Sequence, residues 1–141
     1  MTTAAQKIAK ALGESGCYFF SLCKVAEDVV GHKIDPIEAA ARAMELKTLG
    51  SDCFVKDAGA IFSMLVGERF GVLKAGPGHT LPLEYAPRPG EREILRYEIT
   101  PERAHFVVGD GSGRLAWDPW PGSEAVRTGR MVSKRIIRRM P

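Results

Sequence analysis

Residues 16–22 read Gly-Cys-Tyr-Phe-Phe-Ser-Leu and open the stretch that decides the fold. Between Cys17 and Val30 the apolar side chains recur every three or four residues, which is the spacing of one helical face. Gly31 follows directly and is a typical residue at the end of a helix. We therefore predict a helix over residues 17–30 with this buried face: Phe19, Leu22, Val25, Ala26 and Val29.

Two further helices are predicted in the first half of the chain. Asp35 followed by Pro36 combines an N-cap residue with a proline in the first turn, and apolar residues then continue along one face until Gly50. Asp57 caps a shorter helical segment over residues 58–66. The first half is thus predicted to be mostly helical.

The sequence of the second half is typical of short strands joined by loops. Residues 75–92 contain four prolines and three glycines, which predicts a long irregular loop of the kind that is often functional. Short strands are predicted at residues 72–73, 94–99, 105–108 and 115–117, with one or two more within 126–137. Helices followed by an antiparallel sheet indicate an α+β fold, in one domain over residues 1–141.

Composition and cysteine count restrict the class of protein. A chain of 141 residues with 45% hydrophobic content is long enough for one domain with its own core. It lacks the run of about 20 apolar residues that a membrane span needs and a recognisable signal peptide, so we expect a cytoplasmic protein. Three cysteines without a Cys-x-x-Cys pair predict reduced thiols, with no zinc site and no cofactor.

Positive charge is concentrated at the end of the chain. Residues 130–141 carry five basic side chains and no acidic one: Arg130, Lys134, Arg135, Arg138 and Arg139. Such a strip is compatible with contact to nucleic acid, an anionic cell-wall polymer or an acidic partner. The interpretation we favour is a solvated final strand whose charges face water and protect a sheet edge. A nucleic-acid partner is accordingly not expected.

Three separated residues carry the chemistry of a nucleophilic site. An ordinary thiol, with a pKa of about 8.5, is mostly protonated at neutral pH and needs a helix N-terminus or an imidazole to become reactive. Cys17 begins a predicted helix, His105 opens a predicted strand, and Asp118 follows one hairpin turn later. We predict that they converge as nucleophile, general base and orienting carboxylate, with Trp117 and Trp120 beside them as a water shield or as plain core.

The remaining thiols and imidazoles are given structural roles. Cys23 lies in the middle of a predicted helix and Cys53 has no histidine at a suggestive position, so both are predicted to be core residues. His32 is assigned to solvent after the first predicted helix, and His79 to the long loop, as a rival base or a substrate-loop residue.

These motifs resemble the papain-like cysteine peptidases. Residues 16–22 resemble the nucleophile helix, His-Phe-Val-Val at 105–108 the histidine strand, and Trp-Asp-Pro at 117–119 the turn with the carboxylate. The chain is most similar to bacteriocin-processing (double-glycine-type) peptidase domains and to small phage-encoded relatives. The phage-type similarity extends to Asp-Cys-Phe-Val-Lys-Asp at 52–57 and Ser-Lys-Arg-Ile at 133–136.

The resemblance implies a fold and an activity. The fold is papain-like, with N-terminal helices packed on a C-terminal antiparallel sheet. The activity is hydrolysis of an amide bond in a peptide or a peptidoglycan stem peptide, with Cys17 attacking, His105 transferring the proton and Asp118 orienting the ring. A cell-wall substrate further implies delivery to the envelope by a lysis or injection apparatus.

One position departs from this family pattern. The processing peptidases carry a glutamine about six residues before the cysteine as an oxyanion donor, and here that position is Ala11. The donors left are the Cys17 backbone N–H and the Ser15 hydroxyl, while an ionised Glu14 opposes an oxyanion. Loss of one donor typically costs about 2.7–4 kcal/mol of transition-state stabilisation. The alternative to an enzyme is therefore a catalytically impaired fold that binds a peptide or partner.

Overall fold

The computed structural model describes residues 3–141, which form an α+β fold of five helices and one antiparallel sheet of five strands. The helices are α1 (Ala4–Ser15), α2 (Cys17–Val30), α3 (Pro36–Glu45), α4 (Ala58–Val66) and α5 (Glu124–Thr128). The strands are β1 (Phe70–Ala75), β2 (Arg92–Thr100), β3 (Arg103–Gly109), β4 (Leu115–Trp117) and β5 (Arg130–Arg139). No helix in this part of the chain is long and apolar enough to cross a membrane.

The helical layer and the sheet enclose one core. The strands are ordered β1-β5-β2-β3-β4, and every neighbouring pair is antiparallel. Helix α2 packs on β3, and α4 packs on β1 and on α2. The side chains between them are almost fully buried: Phe19, Leu22, Val25, Ile61, Phe62, Ile94 and Ile137. This packing places helix α2 against strand β3.

The helix predictions are confirmed at α2 and α4 and need correction at α3. Both α2 and α4 have the predicted bounds, and Asp57 caps α4 through a bond from the Ala60 N–H to its carboxylate. Helix α3 ends at Glu45 rather than near Gly50. The reason is local, because Lys47 adopts a left-handed φ of 61° and the Thr48 hydroxyl donates to the Ala43 carbonyl oxygen.

Two further elements differ from the sequence prediction. Helix α1 was not predicted, although Thr3 and Gln6 form a capping box at its start. Residues 126–128, predicted as strand, belong to α5, and the final strand begins only after Gly129. The predicted strands are present, β4 with the predicted bounds and β1, β2 and β3 with longer ones, and residues 76–91 between β1 and β2 are irregular, as expected.

The basic final strand is not at an edge, so that prediction was wrong. Strand β5 lies between β1 and β2 and pairs with both. Lys134 is buried and its Nζ lies 3.3 Å from Oε1 of the buried Glu93. Arg135 is also buried, with 9% of its surface exposed. Charged side chains are tolerated inside a sheet when they find polar partners, and a central strand supplies those partners from both sides.

Candidate active site

The start of α2 is held in place by a tight junction with α1. Gly16 is both the C-cap of α1 and the N-cap of α2, and its N–H donates to the Leu12 carbonyl oxygen. A Cβ on Gly16 would lie 2.5 Å from that oxygen, so only glycine allows the close approach. Cys17 is thereby fixed as the first residue of α2, where its backbone N–H has no acceptor inside the helix.

Strands β3 and β4 bring the predicted base and carboxylate together. The β3–β4 ladder places Trp117 opposite Val108, and the chain then turns back towards His105. His105 Nε2 and Asp118 Oδ1 lie 2.6 Å apart, in hydrogen-bond contact, with 8% and 7% of the two residues exposed. The predicted contact between His105 and Asp118 is therefore present, in a largely water-excluded setting.

The Asp118 carboxylate is anchored by two further donors. The Trp120 backbone N–H donates to Oδ1 and the Ser123 hydroxyl donates to Oδ2, each at 2.8 Å. Sequence reasoning missed Ser123, although Asp-Pro-Trp-Pro-Gly-Ser at 118–123 has the composition of an Asx turn with a polar residue nearby. These two hydrogen bonds hold the carboxylate in a single orientation, in which it faces His105.

Of the two tryptophans near the turn, one covers the imidazole. The Trp120 ring packs edge-on against His105, with 5.5 Å between ring centroids, and Phe20 packs against the other side of the indole. Trp120 thus lies beside the imidazole, as the sequence suggested. Trp117 has a different role, because it packs against the core and lies beneath the Lys24 ammonium.

Cys17 and His105 form the second link of the site. Burial lowers the pKa of His105, but hydrogen bonds and charges from Cys17 and Asp118 outweigh it, so the pKa is raised above 6.5. Since Nε2 faces Asp118, the other ring nitrogen, Nδ1, is the one left for the thiol. The imidazole is therefore hydrogen-bonded to a carboxylate and influenced by a nearby thiol, which are the partners of a nucleophile–base–orienting group arrangement.

Two contacts between α2 and β3 hold together the segments that carry Cys17 and His105. The Ser21 hydroxyl donates to the carbonyl oxygens of Cys17 and Phe106, at 2.8 and 3.4 Å. The Tyr18 and Phe106 rings stack with 4.2 Å between centroids. Because Tyr18 follows Cys17 and Phe106 follows His105, these contacts hold the two reactive side chains in register.

The other cysteines and histidines lie outside the site. Cys23 and Cys53 are in the core, as predicted, and burial raises the pKa of both thiols, that of Cys23 to about 12. His32 and His79 are exposed, His32 just after α2 and His79 in the 76–91 loop. Cys17 is the partly exposed thiol among the three. Solvent access and an imidazole partner therefore coincide at Cys17.

A cleft of about 760 Å³ opens beside the thiol. Its lining includes Cys17, Tyr18 and Ser15 together with residues 53–60 and 69–72. Ala11 packs against the core and is not part of the lining, whereas Ser15, the other predicted oxyanion residue, is. The 76–91 loop contributes no lining residue, so the expectation that His79 belongs to a substrate loop is not met in this structure.

No group of three or more His, Cys, Asp or Glu side chains within residues 3–141 is arranged to hold a metal ion. The charged side chains that line the cleft are mostly cationic. Five basic side chains line it against one carboxylate, that of Asp57, which already caps α4: Lys56, Arg69, Lys74, Arg96 and Arg135.

Comparison with known proteins identifies a family without an assigned activity. A family model described as "Protein of unknown function, DUF261" matches residues 1–139. The match covers nearly the whole chain, so the chain belongs to the DUF261 family. No curated protein and no solved structure matches the chain. Function has to be argued from the geometry of the site.

Proposed function

We propose that this member of the DUF261 family is a cysteine hydrolase that cleaves an amide bond through a thioester intermediate, with Cys17, His105 and Asp118 as its catalytic residues. The observation that carries the proposal is the position of His105. Its Nε2 lies 2.6 Å from a carboxylate that is itself anchored twice, and Cys17, the one partly exposed thiol, acts together with that carboxylate to raise the pKa of the ring against the effect of burial. A histidine with only a packing role does not need both partners.

The first half of the reaction forms the thioester. His105 takes the Cys17 proton, and the thiolate sulfur attacks the carbonyl carbon of the substrate amide to form a C–S bond. The C–N bond then breaks, and the imidazolium gives its proton to the departing amine. Asp118 stabilises the imidazolium between these two transfers.

The second half returns the enzyme to its starting state. A water molecule gives a proton to His105 as its oxygen attacks the thioester carbonyl carbon. The C–S bond breaks, the product leaves as a carboxylic acid, and the proton returns to the Cys17 sulfur. No oxidant or cofactor is consumed in either half.

The oxyanion that forms in both halves needs hydrogen-bond donors on the cleft side of Cys17. The backbone N–H of Cys17 is available at the start of α2, and Ser15 lines the same cleft. Ala11 offers no donor, so this oxyanion hole has less help from side chains than the processing peptidases have. Turnover is accordingly expected to be slow.

The substrate class is a peptide or a peptidoglycan stem peptide. The cleft is open, and Phe54 at its rim has 67% of its surface exposed, which suits contact with a flexible chain. Together with the resemblance to small phage-encoded enzymes, the basic cleft makes an anionic wall fragment a suitable substrate. Delivery to the envelope by a lysis or injection apparatus is part of that proposal.

The direct test is incubation with peptide mixtures and purified stem peptides in isotopically labelled water, followed by mass spectrometry of the products. The proposal expects cleavage with one labelled oxygen in the new carboxylate, lost in Cys17→Ala and His105→Ala and retained in the matched variant Cys23→Ala. Cleavage retained by Cys17→Ala would contradict it.

One observation favours a second candidate, a peptide-binding module that has lost catalysis. That observation is Ala11, whose methyl group packs on the core where a glutamine donor is expected. Retention of a peptide by the wild-type protein without turnover, under conditions in which Cys17 is alkylated no faster than an ordinary thiol, is the outcome that selects this candidate.

A further inference from the structure

Arg135 is a buried cation in the cleft without an acidic partner. It has 9% of its surface exposed, and no carboxylate of residues 3–141 forms an ion pair with it. Its Nη1 donates to the Ser133 hydroxyl at 3.1 Å and to the Lys134 carbonyl oxygen at 3.2 Å, both neutral acceptors. Burying an unpaired charge costs free energy, so a bound anion would stabilise the Arg135 guanidinium. The chain itself does not supply that anion.

A second guanidinium lies close by. The guanidinium carbons of Arg135 and Arg96 lie 5.5 and 6.0 Å from the centroid of the same Phe106 ring, and both residues line the cleft. Arg96 pairs with the partly buried Glu98, and its charge together with burial lowers the pKa of Arg135. Glu98 offsets the Arg96 charge, so Arg135 is the main source of the positive potential that this pair of arginines offers an anion.

This cationic group lines the same cavity as the nucleophile. Phe106 stacks on Tyr18, which directly follows Cys17, and Arg135 lies beside the Tyr18 hydroxyl. An anion bound by the Arg135 guanidinium therefore occupies the same cavity as the group that Cys17 attacks. The planar guanidinium matches a carboxylate, to which it can donate two parallel hydrogen bonds.

We propose that Arg135, assisted by Arg96, binds a carboxylate of the substrate next to the scissile bond, so that the enzyme selects acidic peptides. The inference rests on the proposed function, because it assigns the substrate preference of the same site. Arg135 acts as a specificity residue and takes no part in the transfer of protons or acyl groups.

The test compares an anionic and a neutral thiol reagent, and needs no turnover. Alkylation of Cys17 by iodoacetate and by iodoacetamide is followed by mass spectrometry in wild type, Arg135→Gln and Arg135→Lys. Arg135→Gln is expected to slow iodoacetate about tenfold and to leave iodoacetamide nearly unchanged, while Arg135→Lys retains most of the preference. Exposed Arg92, outside the cleft, gives the matched charge control Arg92→Gln.

Two further arms make the result decisive. If Arg135→Gln does not fold by circular dichroism, Arg96→Gln takes its place with a smaller expected effect in the same direction. Protection of Cys17 from iodoacetamide is then compared for N-acetylglutamate, N-acetylglutamine and inorganic phosphate. Protection by N-acetylglutamate alone, weakened in the arginine variant, supports a carboxylate site.

An iodoacetate-to-iodoacetamide ratio that is the same in Arg135→Gln, Arg92→Gln and wild type overturns the inference. Protection by phosphate but not by N-acetylglutamate overturns the carboxylate assignment. Failure of the proposed function is a separate result, since it appears as a Cys17 that reacts with iodoacetamide as fast after His105→Ala as before, whatever the charge ratio.

Discussion

Removal of the Asp118 carboxylate should slow the reactions of Cys17 through the imidazole. In Asp118→Ala, His105 loses the acceptor 2.6 Å from its Nε2 but stays buried beneath Trp120. Burial lowers the pKa of His105, and the raising effect of Asp118 disappears, so the pKa of His105 should fall. An imidazole with a lower pKa is a weaker base, so His105 should then accept the Cys17 proton less readily.

The size of the effect follows from the bond that is lost. A hydrogen bond to a charged group is worth about 1.5–3 kcal/mol, and a neutral one about 0.5–1.5 kcal/mol. At 1.36 kcal/mol per tenfold change, Asp118→Ala should lower the alkylation rate of Cys17 at pH 6 about 10- to 160-fold. Asp118→Asn keeps a neutral acceptor for His105 and should fall between wild type and Asp118→Ala.

The assay combines the rate of alkylation by iodoacetamide at pH 6 with an NMR titration of the His105 ring, one of three histidines in the chain. Asp110→Ala is the matched control, because that exposed carboxylate bonds only within its own loop. Rates within about twofold of wild type for both Asp118 variants, with an unchanged His105 titration, would refute the reasoning.

The remaining predictions concern the supports of the site. Gly16→Ala places a Cβ 2.5 Å from a carbonyl oxygen of α1 and should cost about 1–3 kcal/mol in urea unfolding, whereas Gly13→Ala, with open space around its Cβ, should stabilise the protein by about 0.5–1 kcal/mol; equal effects would contradict the close approach. Lys134→Met leaves Glu93 buried without its cation and should cost about 3–5 kcal/mol, partly recovered in the double variant with Glu93→Gln; a loss below about 1 kcal/mol would show that the ion pair is not needed. The raised pKa of His105 means that the native state binds this proton more tightly than the unfolded chain does, so its stabilising contribution is complete below about pH 6.5 and is lost as pH rises through the higher native pKa. Urea unfolding at pH 5.5 and pH 8 should show this loss in wild type and not in His105→Gln, and parallel behaviour of the two proteins would contradict it.

The reactive residues were predictable because local patterns carry them. Cys17 follows a glycine and begins an amphipathic run, and the His105 strand and the Asp118 turn are separated by one hairpin. Two antiparallel strands joined by a short hairpin lie side by side, so residues that flank the hairpin come together independently of how the rest of the chain folds. The convergence of base and carboxylate thus follows from local sequence, while the position of Cys17 against them depends on how α2 packs on β3.

The basic strip was misjudged because the place of a strand in a sheet is not a local property. Strand β5 is central only because it pairs with β1 and β2, whose residues precede it by tens of positions. The sequence of β5 does not indicate which neighbours it will have, so the burial of Arg135 could not be read from sequence. Ser123 was missed for a similar reason, since its role requires the turn at 118–123 to fold back on Asp118.

The most direct measurement of whether Cys17 is an activated nucleophile is its selective modification at mildly acidic pH. Wild-type protein is treated with iodoacetamide at pH 6, and the modified cysteines are mapped by mass spectrometry in wild type and in His105→Ala. We expect rapid labelling of Cys17 in wild type and loss of this rapid reaction in His105→Ala. Cys23 and Cys53 should not be labelled, because their thiols are buried and have raised pKa values. Slow labelling of Cys17 that His105→Ala leaves unchanged would contradict it.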